Sequence, residues 1–415
     1  MVLPSLGGGG TERATLTLAA SLVERGYRVD LVLLRLRGSY KATIPDGVRL
    51  YHRRRRKPDM GLVESCRERG IVVRTLAVNP IGAIRARLFF RRKYPGIEIG
   101  WSRVLSALGI DRYIREARPG VLLSALPSAN DASVLAMTLT DRCVPLVVSI
   151  RNNVGTQYNE RQKSIARALM TEADAIVAVS RGVAADAVRI LDIDESRVHT
   201  IYNPKPLAEI RRLARQEVTH PWFFDTGPPV ILTVLREAPQ KDWTTLVTAL
   251  GYVHRELPVR LAILGRLSAS YRTRIMSLAE QFGMEGNIAF LGFDENPFRY
   301  MRSADLFVLS SRSEGLPNVL IEAMACGTPV VSTDAPYGPA EILEMGRWGR
   351  LVPVGDAPTF ARAIIEALNG ETVPEEALLH RSEDFSDHRA VAAYESLFGS
   401  LISGRASPSA SLGSA

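Results

Sequence analysis

Short aliphatic runs alternate with longer amphipathic stretches twice along this chain, and that alternation restricts the fold more than any other feature. Val29–Leu34, Val121–Ser124, Leu146–Ile150, Ala175–Val179 and Val198–Ile201 read as strands in the first half. Val230–Val234, Leu261–Leu264, Ile288–Leu291, Leu306–Leu309 and Pro329–Ser332 repeat the theme in the second. Their nearly continuous apolar character suits parallel strands covered on both faces. Helical stretches fall between them: Thr11–Arg25, stopping at Gly26, then Thr244–His254, Tyr271–Phe282, Pro317–Ala325 and Pro358–Asn369. The pattern predicts an α/β protein of two Rossmann-like, doubly wound domains. The length agrees: 415 residues exceed the roughly 250–300 at which a single core stops growing.

The expected division follows composition. Residues 1–205 form a first domain that ends where Asn203-Pro204-Lys205-Pro206 breaks regular structure. Residues 206–375 form a second domain, and 376–402 a terminal helix packing back toward the first. Residues 403–415, rich in Ser, Ala and Gly, read as a disordered tail. Met1-Val2-Leu3-Pro4 looks like the end of a strand whose first residues are absent. Cys66, Cys143 and Cys326 stand far apart, which argues against a disulfide framework or zinc site and fits a reducing compartment. No apolar run reaches the length of a membrane span, and no signal core follows a basic start. The expectation is a cytoplasmic protein.

Charge is unevenly spread. Residues 1–205 hold 33 Lys+Arg and 19 Asp+Glu, a net +14, whereas the remainder is net −6. A first half this basic suggests an anionic partner. Arg53–Lys57 is a dense basic cluster, and Ile81–Lys93 mixes basic and apolar residues, with Ile81, Ile84 and Leu88 on one helical face. That mixture suits a helix lying on an anionic membrane surface; the plainer alternative is a solvated charged face with a core-facing stripe. Nucleic acid is not expected, because no binding module or stacking platform is visible.

Three segments carry chemistry. In Ser313–Pro329, Pro317 suits a first helical position and Gly327 a left-handed stop. The N–H groups of the helix's first turn, backed by its dipole, make an anion site there. Glu314 precedes the helix and Glu322 lies roughly 7–8 Å further along its axis, so the two could hold a sugar and a ribose. The alternative is a polar loop with a solvent-facing helix. Arg236 and Lys241 follow the strand Val230–Val234 and could clamp a diphosphate; otherwise they belong to an ordinary basic loop. Gly7–Gly10, followed by Thr11-Glu12-Arg13, could let backbone approach a phosphate or sugar, or be a flexible turn. Asp192-Ile193-Asp194 matches a short metal-binding pattern, but it lies in a polar connection and reads better as a surface turn. No metal site is expected.

Together these segments resemble the retaining glycosyltransferases of family 4, of bacterial polysaccharide and glycolipid biosynthesis, from about Leu3 to Phe398. The resemblance implies the GT-B fold, with two domains facing each other across a cleft. Glu314 and Glu322 match the family's paired glutamates, implying donor-sugar and ribose contacts. Arg236 and Lys241 match its diphosphate pair, and Gly9–Arg13 its first glycine loop. Weaker echoes are Val179–Gly182, Ile201–Pro204, Leu291–Phe293 and Gly338–Ile342. The implied catalytic set is Arg236, Lys241 and Glu314. Donor contacts fall to Gly10, Gly315, Leu316, Pro317, Asn318 and Glu322, and sugar or acceptor contacts to Glu12, Arg151 and Asn152. The sequence departs from the family at Leu235, where glycine is common, at Arg266, where a second glycine is common, and at Ser149–Asn153, where many members carry a histidine.

The implied reaction is metal-independent, needs no cofactor beyond a nucleotide-diphosphate sugar, UDP being the leading base, and retains the anomeric configuration. The implied partners are that donor and a lipid-linked or saccharide acceptor, with peripheral membrane association. The alternatives are a sugar-nucleotide epimerase or phosphorylase on the same fold and a non-catalytic nucleotide-sugar-binding protein.

Overall fold

A computed structural model describes residues 1–7, 9–38, 43–53, 67, 69–76, 78–140 and 143–406. The chain divides into two compact units. The first comprises Met1–Val179, Val183–Pro204 and the residues from Asp387 onward; the second comprises Ser180–Gly182 and Lys205–Ser386. Residues 376–386, assigned from sequence to the terminal helix, therefore group with the second unit. The final helix, Asp387–Ala406, begins later and extends past residue 402.

Among the described residues the first unit holds an eight-stranded sheet in the order β4-β3-β2-β1-β5-β6-β7-β8. Its strands are β1 (Val2–Leu3), β2 (Asp30–Leu33), β3 (Arg49–Arg53), β4 (Val73–Leu76), β5 (Leu122–Ala125), β6 (Leu146–Ile150), β7 (Ala175–Ala178) and β8 (Val198–Thr200). Every pairing is parallel. The strand order reverses direction between β1 and β5. The helix Gly10–Glu24 follows β1 and buries Leu18, Ala19 and Leu22 against the sheet and the final helix, whose Tyr394, Leu397 and Phe398 share that core. Asp387 accepts from Ser21 at 3.1 Å and Glu395 pairs with Arg25 at 2.6 Å.

The second unit holds a six-stranded parallel sheet in the order β11-β10-β9-β12-β13-β14. These strands are β9 (Val230–Val234), β10 (Arg260–Leu264), β11 (Ile288–Gly292), β12 (Leu306–Leu309), β13 (Val330–Thr333) and β14 (Arg350–Val352). The order reverses between β9 and β12. The helices Trp243–Glu256 and Ala357–Leu368 cover one face, burying Leu246, Leu250, Val253, Phe360 and Ile364. The expected helix at Pro317 begins one residue later, at Asn318, with Pro317 as its N-cap; Gly327 ends it with φ +80°.

In Rossmann-type sheets a ligand binds outside the carboxyl ends of the strands, where the order reverses. That rule places candidate sites at the ends of β1 and β5 in one unit and of β9 and β12 in the other. Asp194 instead caps a short turn, accepting from Ser196 N at 2.9 Å. Among the described residues no helix is long and apolar enough to cross a membrane.

Candidate functional site

In the second unit, β9 leads into the segment Leu235–Asp242 and β12 into Ser310–Pro317. The backbone stitches the two together. Arg312 N donates to Gln240 O at 2.7 Å, and Ser310 Oγ to Lys241 O at 3.0 Å. Asp242 takes a left-handed conformation (φ 35°, ψ 51°) just before the helix Trp243–Glu256 and accepts from Thr244, Thr245 and Arg312 at 2.8–2.9 Å. Burial alone would push its carboxyl up; the donors outweigh that and hold it below the ordinary value. The loop that carries Lys241 is thus fixed by a buried anion.

This framework brings Lys241 Nζ within 2.6 Å of Glu314 Oε1, with both side chains about one-eighth exposed. Ser311 Oγ donates to the same oxygen at 2.7 Å. Two donors therefore anchor Oε1, while Oε2 has no hydrogen-bond partner among the described residues. An ammonium has three N–H donors and spends one here, leaving two for an anion. Arg236 is exposed and has no ion-pair partner among the described residues. Leu235, although it stands where glycine is common, does not adopt a left-handed backbone and is buried. A side chain at that position is compatible with the loop path.

Beyond Glu314 the loop Gly315-Leu316-Pro317 is buried. Ser180 Oγ donates to Gly315 O at 2.8 Å, and the N–H of Arg181 donates to the Glu341 carboxylate at 2.9–3.0 Å. Gly338 (φ +104°) lies so close that a Cβ there would meet Pro317 Cδ at 2.6 Å and Gly315 O at 3.1 Å. The segments 180–182 and 338–342, distant in sequence, meet at the loop that presents Glu314. Arg266 and Phe293 follow β10 and β11, with the guanidinium 4.7 Å from the ring centroid; half-exposed Phe293 offers a flat cation-backed face.

Glu322 is neither on a solvent-facing helix nor exposed. It is 5% exposed, and Lys205 Nζ lies 2.7 Å from its Oε1. Its Oε2 also lacks a described hydrogen-bond partner. Breaking such a buried pair by removing one member costs about 3–5 kcal/mol. Lys205 went unread in the sequence because a lysine between two prolines carries no spacing signal. Burial, then the Glu322 carboxylate, pushes the Cys326 thiol up to about 12, so it stays protonated at neutral pH and is no nucleophile.

In the first unit, Glu12 folds back over the glycine loop: a Cβ on Gly9 would lie 2.8 Å from one carboxylate oxygen and a Cβ on Gly7 3.3 Å from the other. Gly10 opens the helix Gly10–Glu24. Arg151 and Asn152 follow β6; Arg151 is 7% exposed and donates to Asn203 Oδ1 at 2.5 Å. Lys241 and Glu314 are brought together, Glu322 pairs with Lys205 rather than with them, and Glu12, Arg151 and Asn152 belong to the other unit. In the helix Pro80–Lys93, Ala83, Ala86 and Phe90 are buried, whereas Ile81, Ile84, Leu88 and Phe89 are 44–63% exposed. The Ile81-Ile84-Leu88 stripe thus faces solvent, not the core. Of the basic cluster 53–57, residues 54–57 lie outside the described residues.

Comparison with known proteins agrees with this architecture. Residues 9–204 match the family described as glycosyl transferase 4-like domain, and residues 215–381 match glycosyl transferases group 1. The chain is 28% identical over 351 residues, 84% of each chain, to N-acetylgalactosamine-N,N'-diacetylbacillosaminyl-diphospho-undecaprenol 4-alpha-N-acetylgalactosaminyltransferase of Campylobacter jejuni. It is 33% identical over 264 residues, 63% of this chain and 69% of the relative, to the lipopolysaccharide core biosynthesis glycosyltransferase LpsE of Rhizobium meliloti. The Anabaena HepE structure, solved with UDP and glucose, superposes with a TM-score of 0.72 at 18% identity, covering 96% of this chain and 98% of that one. With two doubly wound parallel sheets of GT-B type and matches across both, the chain belongs to the group 1, 4-like glycosyltransferases.

Proposed function

We propose that this chain transfers a sugar from a UDP-sugar to a lipid-linked or polysaccharide acceptor in cell-surface glycan biosynthesis, without a metal and with retention at the anomeric carbon. The observation that carries the reading is the Lys241–Glu314 pair at the carboxyl ends of β9 and β12, where the strand order reverses. In this reading Lys241 and Arg236 hold the donor diphosphate, together with the backbone N–H groups of Gly315, Leu316 and Asn318. The sugar C1–O bond breaks toward an oxocarbenium-like centre, and those donors stabilise the charge growing on the departing diphosphate. The acceptor oxygen attacks from the same face, and its proton passes to the leaving phosphate. Glu314 Oε2 takes a sugar hydroxyl and Glu322 Oε2 the ribose. In the first unit, Gly10, Glu12 and Asn152 are read as substrate contacts. The relatives' roles in lipid-diphosphate and lipopolysaccharide glycosylation support the acceptor class, and the nucleotide in HepE supports the donor.

The same reading places the enzyme on the cytoplasmic membrane face. The exposed Ile81, Ile84, Leu88 and Phe89 enter the lipid boundary, and the exposed Arg85, Arg91 and Arg92 meet anionic headgroups, each contributing about 1 kcal/mol.

The test is turnover of nucleotide sugars with lipid-diphosphate and saccharide acceptors, read as nucleotide release. Lys241→Ala and Arg236→Ala are each expected to remove most of it. Rates like the parent's in both variants would defeat the assignment, and conversion of the donor without acceptor would point to epimerisation instead.

A further inference from the structure

Among the described residues, one buried cation in the first unit has no counter-charge. Arg151 follows β6, is 93% buried by its 7% exposure, and makes one hydrogen bond, to the neutral amide of Asn203. Its Nε and Nη2 are buried with no hydrogen-bond partner, whereas each of the other arginines in that state leaves only Nε unpartnered. No carboxylate pairs with Arg151 among the described residues. The fully buried Tyr394 hydroxyl on the helix Asp387–Ala406 feels the Arg151 charge. Burial raises that hydroxyl's pKa, and the Arg151 charge pulls it back. A phenol kept neutral does not compensate a guanidinium.

A guanidinium cannot escape this position by losing its proton. An unpaired buried charge is strongly destabilising, and a chain retains one where it meets an external partner. Arg151 stands at the carboxyl end of a parallel strand, the edge at which such sheets receive ligands. Nε and Nη2 form the side of the fork that grips two oxygens of one group. We infer that Arg151, held by Asn203, is a receptor for an oxyanion on a substrate: a phosphate or a sugar carboxylate bound by the first unit. This goes beyond the donor-diphosphate reading, which concerns Arg236 and Lys241 in the second unit, and it stands or falls separately from it.

The experiment uses the full chain carrying Arg236→Ala and Lys241→Ala, so that the proposed diphosphate clamp is disabled. Its Tm is followed against inorganic phosphate and, separately, glucuronate, with sodium chloride at matched ionic strength as baseline. A ligand that binds only the folded state raises Tm with concentration. The expected result is a rise with at least one anion that disappears when Arg151→Gln is added and persists in part with Arg151→Lys. A response to phosphate alone assigns a phosphorylated substrate, and to glucuronate alone an acidic sugar. Asn203→Asp gives a second test that keeps the arginine. The new carboxylate supplies an internal counter-ion, so Tm without anion should increase and the anion response should vanish. No rise with either anion, or an unchanged rise in Arg151→Gln, overturns the inference.

Discussion

Glu314 and Glu322 are each held through one oxygen by one lysine, Lys241 at 2.6 Å and Lys205 at 2.7 Å, so each presents its other oxygen in a defined direction. Lys241→Ala removes a charge from the leaving group's surroundings and frees Glu314. By analogy with an oxyanion donor, the loss in kcat should be about 10²–10³-fold, measured under saturating donor. Lys205→Met should act differently. It strands a buried carboxylate, lowering stability by about 3–5 kcal/mol, and loosens the proposed ribose ligand, so KM for the donor rises more than kcat falls. An unchanged KM in a folded Lys205→Met protein would argue against the ribose role. Asp242 gives a pH signature. Its folded pKa lies below the ordinary value, because hydrogen bonds from Arg312, Thr245 and Thr244 outweigh burial. The stability it supplies is complete above about pH 4 and is lost as pH falls through the lower folded value. Asp242→Asn should flatten the acid limb of a Tm-against-pH curve. Glu314, Glu322, Arg236 and Lys241 stood out in the sequence because they sit at loop and helix positions beside strand ends. Lys205 and the stranded charge of Arg151 did not, since both depend on which residues the chain packs around them.

Among elements, the buried strands were the most legible. β6, β9 and β12 fall where their nearly continuous apolar runs predict, because both faces are covered. β4 and β14 are edge strands, and β3 lies next to an edge. Arg49–Arg53 and Val73–Leu76 mix polar with apolar residues, so no continuous run announces them. The loop before the helix Asn318–Ala325 depends on a close approach that no pattern reveals. Gly338 sits against Pro317 and Gly315 at φ +104°. Gly338→Ala should cost about 1–3 kcal/mol through backbone strain and shift the loop bearing Glu314, giving lower Tm and weaker donor binding by calorimetry. The helix Pro80–Lys93 shows the opposite case: its mixed composition left two readings open, and exposure of Ile81, Ile84 and Leu88 decides between core and surface. Co-sedimentation with anionic vesicles at low salt should be strong for the parent chain and should weaken with Ile84→Ser/Leu88→Ser. No binding by the parent would remove the membrane contact.

At the scale of the whole molecule, the twofold strand-helix alternation was sufficient to read two doubly wound sheets. The chain's path between them was harder. The final helix returns to the first unit's core through Val391, Tyr394 and Leu397, and Ser180–Gly182 groups with the second unit; both are long-range packing events without a local signature. The order reversal between β9 and β12 is what turns separate motifs into one proposed donor site. A crystal structure with the nucleotide sugar that raises Tm most tests this directly. The account predicts the diphosphate within hydrogen-bond reach of Lys241 and Arg236, with Glu314 on the sugar. A nucleotide sugar seated elsewhere, with the Lys241–Glu314 pair untouched by ligand, would contradict it.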